Sequence, residues 1–453
     1  MGLIMNLWRR VQSVFEKTDL KQVIGGEIEL TAQMIDSIDL WQNMLIGAAP
    51  WTNKTPSLGL EIGICREFAD VAINEMEAKV ENNDSLDQIF QTAVRDLNEN
   101  LQDGLALGSL IIKPLMGGQV EYITADNFIP VRFDNGRPVD CVFIERKQLD
   151  ENKFYHRLER HTLTPAGLMI TNKAYMSTSS SKIGTPVSLD AVTDWADLPE
   201  EISYPGMTKI DFGYYRNPLK NRLDNSQCGV SVYSGPAIDR IKSADIQAAR
   251  LDWEYESGER AIHVDERALK TSLNGKKSVA KSHERLYRGL NIDQKNDELF
   301  KEYNPQMRDD SYRQGFEMAL RLVEFSVGLA YGDLSDAQYV EKTATEIKAA
   351  KQRKYNRVVA IQENLKACLE DLVDALAFYN SSYTTTYSLS CAFNDSILTD
   401  EEAERNQDRQ DVSMGVQRLE EYRSKWYGED LETALQNLPE QAGSVIDNLP
   451  PEE

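Results

Sequence analysis

The spacing of apolar residues changes several times along the chain, and each change marks a new element. Leu60, Ile64, Phe68, Val71 and Val80 fall on one helical face. A second helix is expected from an Asp84-Ser85 cap, with Leu86, Phe90, Ala93, Leu97 and Leu101 at steps of three and four. After Gly104 the period shortens. Strand-like runs at 108–113, 119–124, 139–146, 153–163 and 168–176 are separated by Gly117-Gly118, Asp134-Asn135-Gly136 and Thr164-Pro165-Ala166-Gly167. Such turns need residues that tolerate positive φ, so the runs predict a meander of hairpins. Residues 177–206 are rich in Ser, Pro and Asp with little periodicity, which predicts a long surface loop or insertion.

The second half is mostly helical. Ser234-Gly235-Pro236 is a start signal, because proline lacks only an N–H that the first turn leaves unpaired. Ile238, Ile241, Ala244, Ala248, Leu251 and Tyr255 follow as one stripe, with Ile246 and Trp253 pointing elsewhere. A basic stretch with turns covers 260–305, where Asn274-Gly275 predicts a hairpin. From Asp309-Asp310-Ser311 the next helix carries two stripes: Tyr312, Phe316, Leu320, Val323, Val327 and Met318, Leu322, Phe325, Leu329. A helix apolar on two sides must be covered on two sides, which points to a partner subunit. Residues 333–342 are polar and loop-like. From Thr343 to Tyr379 neither Gly nor Pro occurs, giving a helix of roughly 55 Å at 1.5 Å per residue. Its second half has the apolar stripe Val358, Ile361, Leu365, Leu369, Leu372, Leu376, Tyr379; its first half carries Lys342, Lys348, Lys351, Arg353, Lys354 and Arg357. A polar, β-rich run then extends from Ser381 to Phe393.

Composition narrows the function. The 453 residues allow two or three domains, and their 50 basic against 73 acidic side chains give a net charge of −23. Such a chain is not built to coat DNA, since each phosphate contact needs a local cation. Residues 395–453 hold 16 acidic and 5 basic side chains, almost half of the excess. Two cationic stretches interrupt this field: 342–357, and 265–288 with seven basic against three acidic residues. No run of about 18 apolar residues suggests a membrane span. Arg9-Arg10 follows the first apolar stretch rather than preceding it, and Asn6 stands where a myristoylated start has Ser or Thr, so neither a secretory signal nor that lipid anchor is expected. Five scattered cysteines (Cys65, Cys141, Cys228, Cys368, Cys391) read as reduced thiols.

Signatures of catalysis are weak. There is no phosphate-cradling glycine loop. Gly229-Val230-Ser231-Val232-Tyr233 approaches a nucleophile elbow, but Tyr233 stands where the strained turn needs a small residue. His156, His161, His263 and His283 form no ligand set and read as surface histidines; the first two are five apart in a strand and so on opposite faces. The pairs Glu401-Glu402 and Asp309-Asp310 sit at helix starts, where capping explains them. No cofactor or metal is expected.

Four patches in order carry a family resemblance. They are Tyr215-Arg216-Asn217-Pro218 with Asn221, Ser226 and Gly229-Val230-Ser231; Tyr303-Asn304-Pro305-Gln306-Met307-Arg308 with Tyr312; Gly328-Leu329-Ala330-Tyr331-Gly332 followed by Thr343-Ala344-Thr345-Glu346-Ile347; and Phe393-Asn394-Asp395-Ser396 with Asp400. In these the chain resembles the portal, or head–tail connector, proteins of siphophages infecting Gram-positive bacteria, from about residue 20 to about residue 435.

The resemblance implies an α+β portal-like subunit without catalytic activity. Residues 1–235 would form a wing, with 177–206 inserted. Residues 236–257 and 309–329 would be stem helices, 258–308 a small α/β clip, 330–342 a tunnel loop and 343–379 a long tunnel helix. Residues 380–453 would return a strand to the wing and end in an acidic helical crown. It also implies a ring, usually of twelve copies, at a capsid vertex of the virion, assembled in the host cytoplasm. Double-stranded DNA would pass through the ring. The terminase large subunit, a head-completion adaptor and the major capsid and scaffolding proteins would be partners. Asp333, Ser335, Asp336, Gln338, Tyr339 and Lys342 would face DNA; Lys348, Lys351, Arg353 and Lys354 would form the basic part of the tunnel helix. Lys276, Lys277 and Lys281 would form a basic clip tip. The rival expectations are a metal-dependent nuclease or phosphotransferase, or another ring protein of the head–tail joint.

Overall fold

The structure is a computed structural model that describes residues 23–25, 28–150, 153–179, 182–265, 270–271, 277–278, 287–290, 300–336, 344–380, 386–393 and 401–438. Among these, ten α-helices and several open sheets make a mixed α/β fold. The chain divides into two compact units, Met1–Phe393 and Asn394–Glu453.

In the first unit, α1 (Ala32–Leu45) begins where the Thr31 hydroxyl accepts the Met34 N–H. Helix α2 (Leu60–Ile73) buries Ile64 and Phe68 as the pattern predicts, but it stops at Ile73. Val80 belongs instead to β1 (Met76–Glu81), a strand whose partner lies some three hundred residues later and so leaves no local signal. The single helix expected from Asp84 is two, α3 (Asp84–Ala93) and α4 (Leu97–Leu107), capped by Asn83 rather than Asp84. Leu86, Phe90, Ala93, Leu97 and Leu101 are all buried across the break, which is why the apolar pattern concealed it.

The expected strands are present as β2 (Ser109–Pro114), β3 (Val120–Thr124), β5 (Arg137–Asp150), β6 (Lys153–Thr164) and β7 (Gly167–Ser177), with β4 (Phe128–Asp134) added before β5. Pro130 lacks an N–H and the ladder slips between Pro130 and Arg132, so β4 does not read as a strand in sequence. The turn residues Gly117, Asn135, Gly136 and Gly167 all take positive φ. The stretch 177–206 is not a free loop. It adds β8 (Thr185–Val187) and β9 (Glu201–Tyr204) to β7, completing a six-stranded sheet. Between them Trp195 is buried with Leu189, Val192 and Ala174; short 3₁₀ turns hold these residues, and such turns carry no long period. The opposite sheet face packs Val142, Ile144, Leu158 and Tyr175.

Strand β10 (Gly213–Arg216) pairs with β2. After it, Asn217 is buried and its amide donates to the carbonyls of Leu105 and Val230, both at 2.9 Å. Beside this clamp two backbones cross so closely that a Cβ on Gly229 would lie 2.0 Å from the Gly108 carbonyl oxygen. Helix α5 (Pro236–Ser257) follows, then β11 (Ala261–Asp265), β12 (Lys270–Thr271), β13 (Lys277–Ser278), β14 (Tyr287–Leu290) and β15 (Phe300–Tyr303). Strand β11 lies between β14, parallel to it, and β15, antiparallel; β12 pairs with β13. Next come α6 (Asp309–Val327) and the long α7 (Ala344–Tyr379). Val358, Ile361, Leu365, Leu369, Leu372 and Leu376 of α7 are completely buried, against β10 and α2 among others. Strand β16 (Ser388–Phe393) closes the unit by pairing with β1. The second unit holds α8 (Glu401–Ser413), α9 (Leu419–Tyr427) and α10 (Leu431–Gln436).

Candidate functional site

Helices α5 and α6 form an antiparallel pair. Gln247 lies beside Gly315, and at the far end the Glu254 carboxylate accepts from the Arg308 backbone N–H at 2.9 Å and from its guanidinium at 3.2 and 2.8 Å. The Arg308 guanidinium also lies over the Tyr312 ring at 5.4 Å. One of the resemblance patches thus ties together the two places where residues 259–307 leave and rejoin the pair.

The two stripes of α6 have different fates. Leu320, Val323 and Val327 are buried within the chain, as is Leu329 at the end of the second stripe, whereas Met318 and Phe325 are 56% and 58% exposed and Leu322 is exposed beside them. On α5, Trp253 is 65% exposed and Tyr255, although on the predicted inner stripe, is exposed too. The pair therefore presents large apolar side chains that this chain alone leaves in solvent.

At the C-terminal end of α6, Glu324 is fully buried and organises the following turn. Its backbone carbonyl accepts the N–H groups of Gly328 and Leu329 at 3.0 and 2.9 Å. Its Oε1 accepts those of Gly332, Leu334 and Ser335 at 3.1, 2.7 and 2.8 Å, and Oε2 accepts the Ser335 hydroxyl at 3.0 Å. Gly328 and Gly332 supply the positive φ that the turn requires. Two helical turns earlier, Glu317 accepts the Asp336 N–H at 3.0 Å. Asp333 accepts the Ala330 N–H at 2.9 Å and pairs with Lys354 of α7 at 3.1 Å; Lys354 also pairs with Glu67 of α2. Burying Lys354 is tolerable because two carboxylates face it.

The predicted loop and helix residues are thereby located. Asp333, Ser335, Asp336 and Lys354 come together around Glu324 and Glu317, with Ser335 and Lys354 buried and Asp336 exposed. Arg353 stacks on Phe325 and Tyr331, 4.8 and 5.3 Å from their ring centres, and Lys351 is exposed. Lys348 lies on α7, but its side chain is outside the described residues, as are Gln338, Tyr339 and Lys342 altogether. Lys277 sits in β13, its backbone paired with Thr271, while Lys276 and Lys281 lie outside the described residues. Sequence reading missed Glu317, Glu324 and the Glu254–Arg308 clasp. A usable signal for Glu324 is a carboxylate on the inner face with Leu320 and Val327, just before two glycines.

The histidine expectation is overturned: His156 and His161 are both buried. His161 Nδ1 is 2.8 Å from Asp211 and Nε2 is 2.7 Å from Glu159, and Lys113 and Arg157 flank Glu159. Burial opposes its charge, but Asp211 and Glu159 outweigh that and raise the imidazole pKa to about 9. With both nitrogens engaged and the ring protonated, His161 has no lone pair for general-base work. His156 goes the other way: burial, then the Arg146 charge, lowers it to about 4. A cavity of about 250 Å³ beside this network is lined by Lys113, Arg146, Arg157, Glu121, Glu145 and Glu159 among others. Its charges balance, so it does not favour a polyanion. Among the described residues no group of three or more His, Cys, Asp or Glu could hold a metal ion, and no described helix is long and apolar enough to cross a membrane.

Comparison with protein-family models and with curated proteins finds no match to this chain.

Proposed function

We propose that the chain is the portal subunit of a tailed bacteriophage, a non-enzymatic ring component through which double-stranded DNA enters and leaves a capsid. The observation that carries this reading is the α5–α6 pair, which buries Leu320, Val323 and Val327 within its own chain and leaves Trp253, Met318 and Phe325 exposed. Exposed aromatic and Met side chains on a helix pair are what a side-by-side neighbour would bury. Three further features agree with it. A small β-structured segment hangs from one end of the pair. A carboxylate-held turn at the other end leads into the 36-residue helix α7. A net charge of −23 lets a duplex slide where a basic lumen would hold it.

In this reading the turn held by Glu324 sets the direction in which the chain beyond Asp336 approaches the duplex. Terminase, the head-completion adaptor and the capsid and scaffolding proteins would dock on the assembled ring. The deciding experiment is solution mass with negative-stain imaging. A ring of twelve 51.4 kDa chains has a mass of about 600 kDa, with closed symmetry. Annular particles near that mass are the expected result; a monomer or dimer under all conditions would overturn the proposal. In assembled rings, alanine replacement of residues 336–339 should leave the particles intact and impair DNA packaging.

A further inference from the structure

The C-terminal unit distributes its side chains in an inverted manner. Among its described residues only Tyr422 and Ala434 are buried apolar groups, while Met414, Val416, Leu419, Tyr427, Leu431 and Leu435 are exposed, Val416 to 77%. What joins the helices is polar. Arg405 and Arg409 of α8 donate to the Tyr422 hydroxyl of α9 at 3.2 and 3.0 Å. The Trp426 indole N–H donates to Asp408 at 2.8 Å, and Lys425 pairs with the same carboxylate at 2.7 Å. Arg423 pairs with Glu429 at 2.8 Å. Among the described residues so little apolar surface is buried that a further surface would stabilise these helices.

The charge pattern says what kind of surface. All five cations of residues 395–453 are engaged inside the unit, Arg418 with Glu420 being the loosest pair at 3.8 Å. The remaining field comes from a large excess of the 16 carboxylates. A second copy of the unit would meet like charge, whereas a basic amphipathic helix offers both an apolar row and compensating cations. Leu431 and Leu435, one helical turn apart, present the spacing that interlocks with such a row.

We propose that the C-terminal unit is a docking site for a basic amphipathic helix of another protein, seated on its outward apolar side chains. This does not depend on the portal reading. The test uses the full-length protein and a fluorescent synthetic 18-residue peptide with leucines on one helical face and lysines on the other. Its binding is followed by anisotropy, against a scrambled peptide of the same composition and a version with Glu for Lys. The amphipathic basic peptide should bind at least tenfold more tightly than either control. The charge-neutral double variant Leu431→Ser/Leu435→Ser should lose about tenfold in affinity, and added salt should weaken the complex. Equal binding of the scrambled peptide, or an unchanged affinity in the double variant, would overturn the proposal. So would a double variant that alters only the self-assembled mass, since the occupant would then be a second copy.

Discussion

Asn217 shows how much one amide can hold. It donates to Leu105 and Val230, accepts the Tyr215 hydroxyl at 2.9 Å, and through its backbone N–H reaches Gly108. Asn217→Ala would strand two buried carbonyls and should lower unfolding free energy by about 3 kcal/mol, measured by urea denaturation. Two buried titratable groups, both with raised pKa, make stability fall with rising pH in successive windows. Burial, partly offset by its own backbone hydrogen bond and reinforced by Asp245, pushes the Glu61 carboxyl from 4.5 to about 7. The folded state therefore binds the extra proton, and stability falls as pH rises from about 4.5 to 7, by up to roughly 3 kcal/mol. Glu61→Gln should flatten that limb and raise the melting temperature at pH 8 but not at pH 4. For His161 the folded pKa is raised from 6.5 to about 9. Its contribution is complete below about 6.5 and disappears as pH climbs through 9. Thermal melts between pH 7 and 10 should show a decline that His161→Asn removes.

At the scale of elements, what the sequence made legible and what it concealed divide by range. The α7 stripe is read correctly from Val358 to Leu376 because its burial follows a single period, whereas Tyr379 at its end is exposed; Leu365→Ala, at a fully buried position, should cost about 3–4 kcal/mol. Strands β2, β3 and β5–β7 are legible because their turns announce themselves. Strand β1 is not, since its identity depends on β16, and the stretch 177–206 reads as a surface loop because the contacts that bury Trp195 are made without a period. At the candidate site the glycines 328 and 332 were visible, but the carboxylate they wrap around was not, because a glutamate on a helix ordinarily reads as surface. Glu324→Gln retains an acceptor yet loses the charge-assisted bonds. Hydrogen exchange at the amides of Gly332, Leu334 and Ser335 should accelerate at least tenfold, with α6 itself largely unaffected.

For the whole molecule, the exposed apolar side chains on α5 and α6 are where fold and proposed function separate. Met318→Asp with Trp253→Asp replaces side chains that touch mostly solvent, so the isolated chain should keep its stability within about 0.5 kcal/mol per site. Assembly should nevertheless fail, seen as a shift from the ring mass to a single chain by light scattering. The Glu254–Arg308 clasp carries a separate consequence. It joins the two points where residues 259–307 leave and rejoin the helix pair, the carboxylate gripping both the backbone and the guanidinium of its partner. With both of its ends held there, that stretch is expected to tolerate replacement. It could be lengthened, shortened or exchanged for a foreign sequence while the rods beneath it keep their register, provided that the stitch itself is left in place.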